Sequence, residues 1–288
     1  MNSIARIIWF LLNLLLGAAV ARILFDWGAC DMQMPLIYKN LISAHLPILN
    51  PIFNVPYVQI NRLSSSVVAK LIFNGFLYAI FGFSHTFFAQ EFVQATLARF
   101  LFPKQTLRTV YCIIVTVTAF IIMGFWQHTG IQLWNWLPST MNNYQQQLVL
   151  LITYHIIFAP GWYVIIKFNL FEFGGLKQIF SRIESAGCPY SLSANSETRT
   201  TGTANLVTSG LFRYCRHPLY FVTILAWVLT PVMSLDHFVL VIYTCLYVLI
   251  GIPFEERKLV QIFGPAYADY QQRVPAIMPR FTSKTKKN

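Results

Sequence analysis

The chain has 288 residues, of which 56% are hydrophobic and 11% are charged. A soluble domain carries about 25% charged residues, so this composition argues against soluble domains and is typical of a chain that lies in lipid. The net charge of +11 comes from basic residues that flank apolar stretches, and this placement argues against a nucleic-acid partner.

Six apolar stretches are long enough to cross a bilayer, which takes about 17–25 helical residues. They are Ile7–Phe25, Val67–Phe88, Val110–Trp126, Leu148–Ile166, Pro218–Ser234 and His237–Phe254. They predict an all-α integral membrane fold in which a bundle of about six transmembrane helices forms one domain over residues 1–282. Residues 283–288 are predicted to be a basic, disordered tail. The lipid bilayer is the expected partner, and no oligomeric state is predicted.

The first apolar stretch has a second interpretation. Arg6, the apolar run and Ala19-Val20-Ala21 also resemble a signal peptide with a cleavage site between small residues. Arg22 follows that site directly, and retention of the helix gives an even number of spans. Both points favour an anchor that is kept.

Basic residues are concentrated on one side of the predicted membrane. Most of the 21 Lys and Arg residues precede the first span, follow the sixth, or lie between spans two and three or four and five. Because cytosolic loops are enriched in Lys and Arg, both termini are expected to face the cytosol. The membrane would be the nuclear envelope or endoplasmic reticulum in a eukaryote and the inner membrane in a bacterium.

The last two stretches form one apolar run, interrupted by Pro231 and Asp236. Two helices joined by a tight outer turn fit this run better than one helix of more than 30 residues. In such a hairpin the start of the fifth span and the end of the sixth lie at the same cytosolic level.

The segment R-Y-C-R-H-P-L-Y, residues 213–220, opens the fifth span. Pro218 suits the first turn of a helix, so His217 is expected near the N-cap. Free N–H groups at that helix end, with Arg213 and Arg216, would favour an anion. The alternative is that the arginines only anchor the membrane boundary before a helix-start proline.

Glu255 and Glu256 end the sixth span, at the level of His217 in the predicted hairpin. Adjacent carboxylates at a membrane boundary need partners, and Arg213, Arg216 and His217 are the candidates. One interpretation is a structural salt-bridge cluster. The other is a cytosolic-side pocket with a cationic and an anionic corner, which suits a zwitterionic ligand with hydroxyls and a positive centre.

A polar stripe lies on one face of the second span. Asn74, Tyr78, Phe81 and His85 follow one another at helical spacing. Such a stripe is expected to face the bundle interior. Because this span runs inward, His85 lies near the predicted depth of His217. A packing or hydrogen-bonding role is the alternative to a functional one.

The sequence contains neither a glycine-rich phosphate-binding motif nor a cysteine motif for a metal. Gly174-Gly175 lacks the G-x-G-x-x-G spacing and is interpreted as a turn before an interfacial helix over residues 176–182. The five cysteines are odd in number and form no C-x-x-C motif, so neither a metal site nor a disulfide framework is predicted.

Two C-terminal motifs stand at a fixed separation. They read L-V-T-S-G-L-F-R-Y-x-R-H-P-x-Y at residues 206–220 and E-E-R-x-L-x-x-x-F-G-x-x-Y-x-x-Y at residues 255–270. Together they resemble the isoprenylcysteine carboxyl methyltransferase superfamily of integral-membrane enzymes. Residues 84–86 (S-H-T), Trp126 with Trp134, and residues 173–178 (F-G-G-L-K-Q) resemble its methanethiol S-methyltransferase and nurim branch.

The resemblance implies S-adenosyl-L-methionine as the cofactor. It places the cofactor against the starts and ends of the last two spans, at Arg216, His217, Pro218, Tyr220, Glu255 and Glu256. Since bacterial members methylate methanethiol, the expected function is S-methylation of a small thiol or another apolar acceptor. His85 is the first candidate catalytic residue on the acceptor side, and Arg213 is the second.

A nurim-like nuclear-envelope protein without catalysis is the alternative function, and a transporter is the third. Vertebrate nurims keep R-H-P but lose the paired glutamates. This chain retains Glu255 and Glu256, which a purely structural protein does not need. The pair therefore favours an enzyme.

Overall fold

The computed structural model describes residues 3–13, 26–31, 40, 44, 66–167, 179 and 206–280. In chain order the elements are α1 (Ser3–Leu12), α2 (Val67–Phe88), α3 (Glu91–Phe100), α4 (Leu107–Phe125), β1 (Gln132–Asn135), α5 (Asn143–Ile157), α6 (Ala159–Lys167), α7 (Pro218–Val228), β2 (Val232–Ser234), α8 (Leu235–Phe263) and α9 (Pro265–Arg273). Short 3-10 turns, Lys104–Thr106 and Gly210–Arg213, precede α4 and α7. The possible cleavage site, the glycine turn, the interfacial helix at 176–182 (apart from residue 179) and the tail at 283–288 lie outside the described residues.

The fold is mostly helical, and several of its helices are apolar enough to lie in a membrane. Within the described residues, α2, the stretch Lys104–Phe125 and α8 are each long and apolar enough to cross a bilayer. The pair α5 and α6, bent by 56°, adds a fourth crossing if it is counted as one span. α1 and α7 are shorter apolar helices. The second predicted span coincides with α2, while the total of six stays a prediction.

Helix α2 packs against α4 and α8. Ser66 caps its start, since the Ser66 hydroxyl accepts a hydrogen bond from the Ala69 N–H. Asn74, which is fully buried, donates from Nδ2 to the Gln127 carbonyl (2.9 Å) and accepts from the Gln127 N–H (2.8 Å). A buried amide is tolerated in a span only when its polar atoms are paired in this way.

The bend between α5 and α6 occurs at Phe158. Pro160 has no N–H to continue the α5 hydrogen-bond ladder, and Gly161 lies so close to Phe158 that a Cβ there would be 2.7 Å from the ring. The kink predicted at Pro160-Gly161 is present. The first helix begins at Asn143, five residues before the predicted start, because Asn142 and Gln145 form a capping box.

The all-α expectation needs one correction at the outer turn. α7 ends at Val228 rather than at Ser234, and β2 pairs antiparallel with β1, with Gln132 opposite Ser234. Pro231 cannot extend the helix, and its carbonyl accepts a hydrogen bond from the Trp136 N–H (3.0 Å). Helices α7 and α8 therefore pack against each other as the predicted hairpin, with β2 at its turn paired to β1.

Helix α8 is longer than the predicted span. It runs through Pro253 and both glutamates to Phe263, whereas the apolar pattern predicts an end at Phe254. It stops at Gly264, whose φ of 59° is a left-handed conformation that glycine adopts without strain. Helix α9 then packs back against α8 and contributes to a small apolar cluster. The buried members of that cluster are Val164, Phe212, Leu259, Tyr267 and Tyr270.

Large apolar side chains on the outer surfaces of the long helices are exposed. Phe76 and Phe83 of α2 and Leu249 and Ile250 of α8 are each more than 60% exposed. In water this would be an aggregation surface, whereas in a bilayer these side chains contact lipid. Polar side chains of the same helices, such as Asn74 and Ser84 of α2 and Thr244 and Glu256 of α8, are buried instead.

Candidate active site

The start of α7 is held by the chain segment that follows α9. The N–H of Arg216 donates to the Pro275 carbonyl and that of His217 to the Ala276 carbonyl, both at 2.9 Å. His217 is the N-cap of α7 and Pro218 its first residue, as predicted. Two of the N–H groups near the expected anion-binding helix end are therefore already bonded to backbone.

Glu256 is the centre of a buried clamp. Its Oε1 accepts from Arg216 Nε (2.6 Å) and lies 3.1 Å from His217 Nε2, and its Oε2 accepts from Gln271 Nε2 (2.9 Å). Arg216 also donates to the carbonyls of Gln271 (2.9 Å) and Val274. Both carboxylate oxygens are thus used, and they join the start of α7 to α8 and α9. Of the two interpretations of the paired glutamates, the structural salt-bridge cluster is the one that fits Glu256.

Glu255 differs from its neighbour. Its Oε2 accepts a hydrogen bond from the Tyr220 hydroxyl (2.9 Å), and its side chain is 21% exposed. No described residue hydrogen-bonds to its Oε1. The Tyr220 ring stacks on the His217 ring, with centroids 5.5 Å apart and planes at 11°. Glu255 therefore keeps one acceptor oxygen for a ligand.

His217 has a second buried polar atom that is open to a ligand. Its Nε2 faces the Glu256 carboxylate, which can only accept, so Nε2 carries the hydrogen in the neutral ring. Its Nδ1 is buried, has no hydrogen-bond partner among the described residues, and lies 3.6 Å from Glu255 Oε2. These acceptors fit S-adenosylmethionine, whose ammonium, ribose hydroxyls and adenine amine are donors. Buried polar atoms are rarely left unpaired, which indicates a ligand.

Arg213 does not join this cluster. It ends the exposed 3-10 turn Gly210–Arg213, and none of the described contacts links it to Glu255 or Glu256. It lines a groove of about 470 Å³ with Pro160 and Tyr163. The expected pairing of Arg213 with the glutamates is wrong, because the turn points its side chain to the surface. A catalytic role for Arg213 gains no support from this position.

His85 lies in an aromatic environment between α2, α4 and α8. Its Nδ1 is 2.7 Å from the Tyr247 hydroxyl, and its ring packs edge-on against Tyr111 with centroids 5.6 Å apart. The predicted acceptor-side residue thus contacts α8, the helix that also carries Glu255, through Tyr247.

Cys215 is not a nucleophile despite its place inside the R-Y-C-R-H-P motif. It is buried, and burial raises the pKa of its thiol to about 11. A thiol with that pKa stays protonated at neutral pH, and only the thiolate attacks. Its buried side chain has a packing role.

Sequence reasoning missed Gln271 and Tyr247. Gln271 follows the last tyrosine of the second motif directly, so the motif could have been extended by one position. Tyr247 precedes Glu255 by eight residues, which places the two on nearby faces of α8.

Tyr267 and Tyr270, the tyrosines of the second motif, are buried in the apolar cluster next to the site. The Tyr270 hydroxyl donates to the Phe212 carbonyl (2.5 Å), and burial, with the charge of Glu256, raises the pKa of Tyr267 far above its usual value.

Comparisons with known proteins agree with the motifs. A family described as a protein of unknown function, DUF1295, matches residues 91–274. The methanethiol S-methyltransferase of Crocosphaera subtropica is 27% identical over 78% of this chain and 81% of its own. The methanethiol S-methyltransferase 1 of Bradyrhizobium diazoefficiens is 26% identical over 78% of this chain and 72% of its own.

A shorter match links the chain to the wider superfamily. The protein-S-isoprenylcysteine O-methyltransferase of Schizosaccharomyces pombe is 38% identical over 26% of this chain and 33% of its own. No solved structure matches significantly. Together the matches confirm the superfamily placement predicted from the two C-terminal motifs.

Proposed function

This chain belongs to the DUF1295 family, and on that premise we propose that it is an integral-membrane enzyme that transfers a methyl group from S-adenosylmethionine to a small thiol such as methanethiol. The relatives' names confirm the predicted enzyme class, a methyltransferase. The observation that carries the proposal is the pair of free acceptors, Glu255 Oε1 and His217 Nδ1, held in place by the Glu256 clamp.

The cofactor-binding side is built from the ends of α7 and α8. Glu255 and His217 Nδ1 would accept hydrogen bonds from the donor groups of the cofactor, and Glu256 with Arg216 holds both residues in place. Tyr220 orients Glu255 through its hydroxyl and His217 through its ring. A site that is already rigid loses less entropy on binding, which favours affinity.

The acceptor side is built from the aromatic residues around His85. When bound, the cofactor supplies an electrophilic methyl group, which passes in line to the acceptor sulfur while the donor sulfur keeps the electron pair of the broken bond. Tyr111, Tyr247 and Phe81 surround His85 and exclude water from it. Alignment of the two sulfur atoms is the main contribution that such a site makes.

A small apolar thiol suits this environment. Among the described residues, the ring contacts of His85 are Phe81, Tyr111 and Tyr247, and the charged group that acts on it is Arg108 of α4, which lies over the Tyr111 ring. An apolar acceptor can enter from the lipid between spans, whereas a highly charged one would have to be desolvated. The alternative, a nurim-like protein without catalysis in the nuclear envelope, gains no support from relatives that are named as enzymes.

A direct activity assay tests this proposal. The full chain, purified in detergent, is supplied with methyl-labelled S-adenosylmethionine and with methanethiol, hydrogen sulfide or a prenylcysteine analogue. We expect labelled dimethyl sulfide from methanethiol. Transfer to the prenylcysteine analogue alone would contradict the small-thiol assignment, and absence of transfer to every acceptor by folded protein would contradict the enzyme.

A further inference from the structure

We infer that Tyr247 positions His85 by donating a hydrogen bond to its Nδ1, so that Nε2 carries the ring hydrogen and presents it to the acceptor sulfur. This inference rests on the proposed function, since it assigns the acceptor side of the same site. Tyr247 is a positioning residue here, and His85 is the group that meets the substrate.

The contacts of His85 single out Tyr247. The distance of 2.7 Å between the Tyr247 hydroxyl and His85 Nδ1 is that of a strong hydrogen bond. Thr86 Oγ1 lies 3.3 Å from the same hydroxyl and can donate to it. No described residue hydrogen-bonds to Nε2 of His85, which is half-buried. One ring nitrogen is therefore fixed by protein, and the other is left for a ligand.

The direction of the hydrogen bond follows from acidity. A phenol has a pKa of about 10, whereas a neutral imidazole N–H is far less acidic and its bare nitrogen is a good acceptor. The tyrosine is accordingly the donor and Nδ1 the acceptor. In the neutral ring the hydrogen must then lie on Nε2, which becomes a donor and cannot act as a base.

Packing leaves Tyr247 little freedom to leave this position. A Cβ on Gly82 of α2 would lie 2.9 Å from Tyr247 Cδ2, so the ring fits only because residue 82 is glycine. Tyr78 packs against it edge-on, with centroids 6.4 Å apart. Tyr247 is thus packed against α2, the helix that carries His85.

The hydrogen on Nε2 determines which form of the acceptor binds. A thiolate is a charged acceptor and forms a stronger hydrogen bond with an N–H donor than a neutral thiol does. We therefore expect the acceptor to bind as a thiolate after its proton has passed to solvent. Among the described residues, the other titratable or charged groups near this region are Tyr78 of α2, Arg108, Tyr111 and Cys112 of α4, Tyr220 of α7 and Glu255 of α8.

The tautomer can be measured without catalysis. A long-range proton–nitrogen correlation spectrum of the detergent-solubilised chain with 15N-labelled histidine, compared with that of His85→Gln, identifies the His85 signals. We expect a protonated Nε2 and an unprotonated Nδ1. The reverse tautomer in the wild-type protein would overturn the inference, even if the protein proves to be an enzyme.

Two tyrosine variants provide the functional test. Tyr247→Phe removes the hydroxyl that binds His85, whereas Tyr243→Phe removes a hydroxyl one turn away that donates to the Leu71 carbonyl (2.8 Å). Loss of one orienting hydrogen bond should lower kcat about tenfold in Tyr247→Phe, with KM for S-adenosylmethionine unchanged. Tyr243→Phe is expected to retain the wild-type kcat. Equal effects of the two variants would contradict a positioning role.

The pH profile distinguishes a donor from a base. If His85 only donates, the rise of kcat/KM with pH should follow the ionisation of the acceptor, so its midpoint should shift when a more acidic thiol is used. His85→Gln, which keeps an N–H donor, should retain more activity than His85→Ala. A midpoint that is the same for both thiols would identify an enzyme base and overturn the inference. If folded wild-type protein transfers no methyl group, it is the proposed function that fails, and the tautomer measurement still decides the hydrogen bond.

Discussion

At the scale of single residues, two adjacent glutamates have different surroundings. Successive residues of an α-helix point about 100° apart, so Glu256 faces Arg216 and Gln271 while Glu255 faces Tyr220. The sequence could predict that both carboxylates need partners at the membrane boundary. It could not divide their roles, because that division depends on the rotation of α8 against α7 and α9.

The clamp predicts a stability defect for Glu256→Ala. The side chains of Arg216 and Glu256 are only 11% and 12% exposed, so removal of the carboxylate leaves a largely buried, unpaired guanidinium. Breaking such a pair costs about 3–5 kcal/mol. Thermal unfolding in detergent should show a clearly lower Tm than wild type. Asp269→Ala, at an exposed position of α9, is the matched control, and equal Tm values for the two variants would contradict the clamp.

At the scale of secondary-structure elements, hydropathy predicts the long helices well and their ends less well. α2 was predictable because its apolar run has clear limits. The end of α8 was not, because the charged residues 255–258 close the apolar run, whereas the helix continues to Phe263 with Leu259 buried against Tyr267 and Tyr270 of α9. The β1–β2 ribbon was not predictable either, since neither strand alternates polar and apolar residues over enough positions to give a signal.

Close packing of α2 on α8 depends on Gly82. Gly82→Ala should displace the Tyr247 ring, because the new Cβ would lie 2.9 Å from it, and should lower both stability and methyl transfer. Gly251→Ala on α8 is the control, since a Cβ there meets nothing within 4 Å. The control should be neutral or gain about 0.5–1 kcal/mol from reduced chain entropy. Thermal unfolding and initial rates of both variants check this, and a Gly82→Ala protein as active as Gly251→Ala would contradict the packing argument.

At the scale of the whole molecule, the proposed site depends on both ends of the α7–α8 hairpin meeting at one end of the helix bundle. Pro231 and Asp236 made that hairpin predictable, and the Arg216–Glu256 contact shows that the two ends meet. The bonding of His217 to the segment after α9 could not be foreseen, because no pattern in residues 275–280 marks them as part of the site. The orientation of the hairpin in the membrane is a prediction from basic residues alone.

Cysteine accessibility tests that orientation. Ser139 lies beside the ribbon and Gln272 on α9, and both are exposed. In sealed vesicles of known sidedness, an impermeant maleimide should label Gln272→Cys only from the cytosolic side and Ser139→Cys only from the other. Both variants are made in a background in which Cys112, Cys188 and Cys245 are replaced by Ser, while the remaining Cys30 and Cys215 are buried and should give little background. Labelling of both variants from the same side would contradict the topology.

The central claim, a cofactor site formed by the hairpin ends, is tested most directly by calorimetric binding of S-adenosylhomocysteine to the detergent-purified full chain. We predict that the wild type and the control Asp269→Asn bind it equally. Glu255→Gln should bind about 10- to 100-fold more weakly, since a hydrogen bond to a charged acceptor contributes about 1.5–3 kcal/mol, while its Tm stays close to that of the wild type. Failure of folded wild-type protein to bind, or equal binding by Glu255→Gln, would contradict the account.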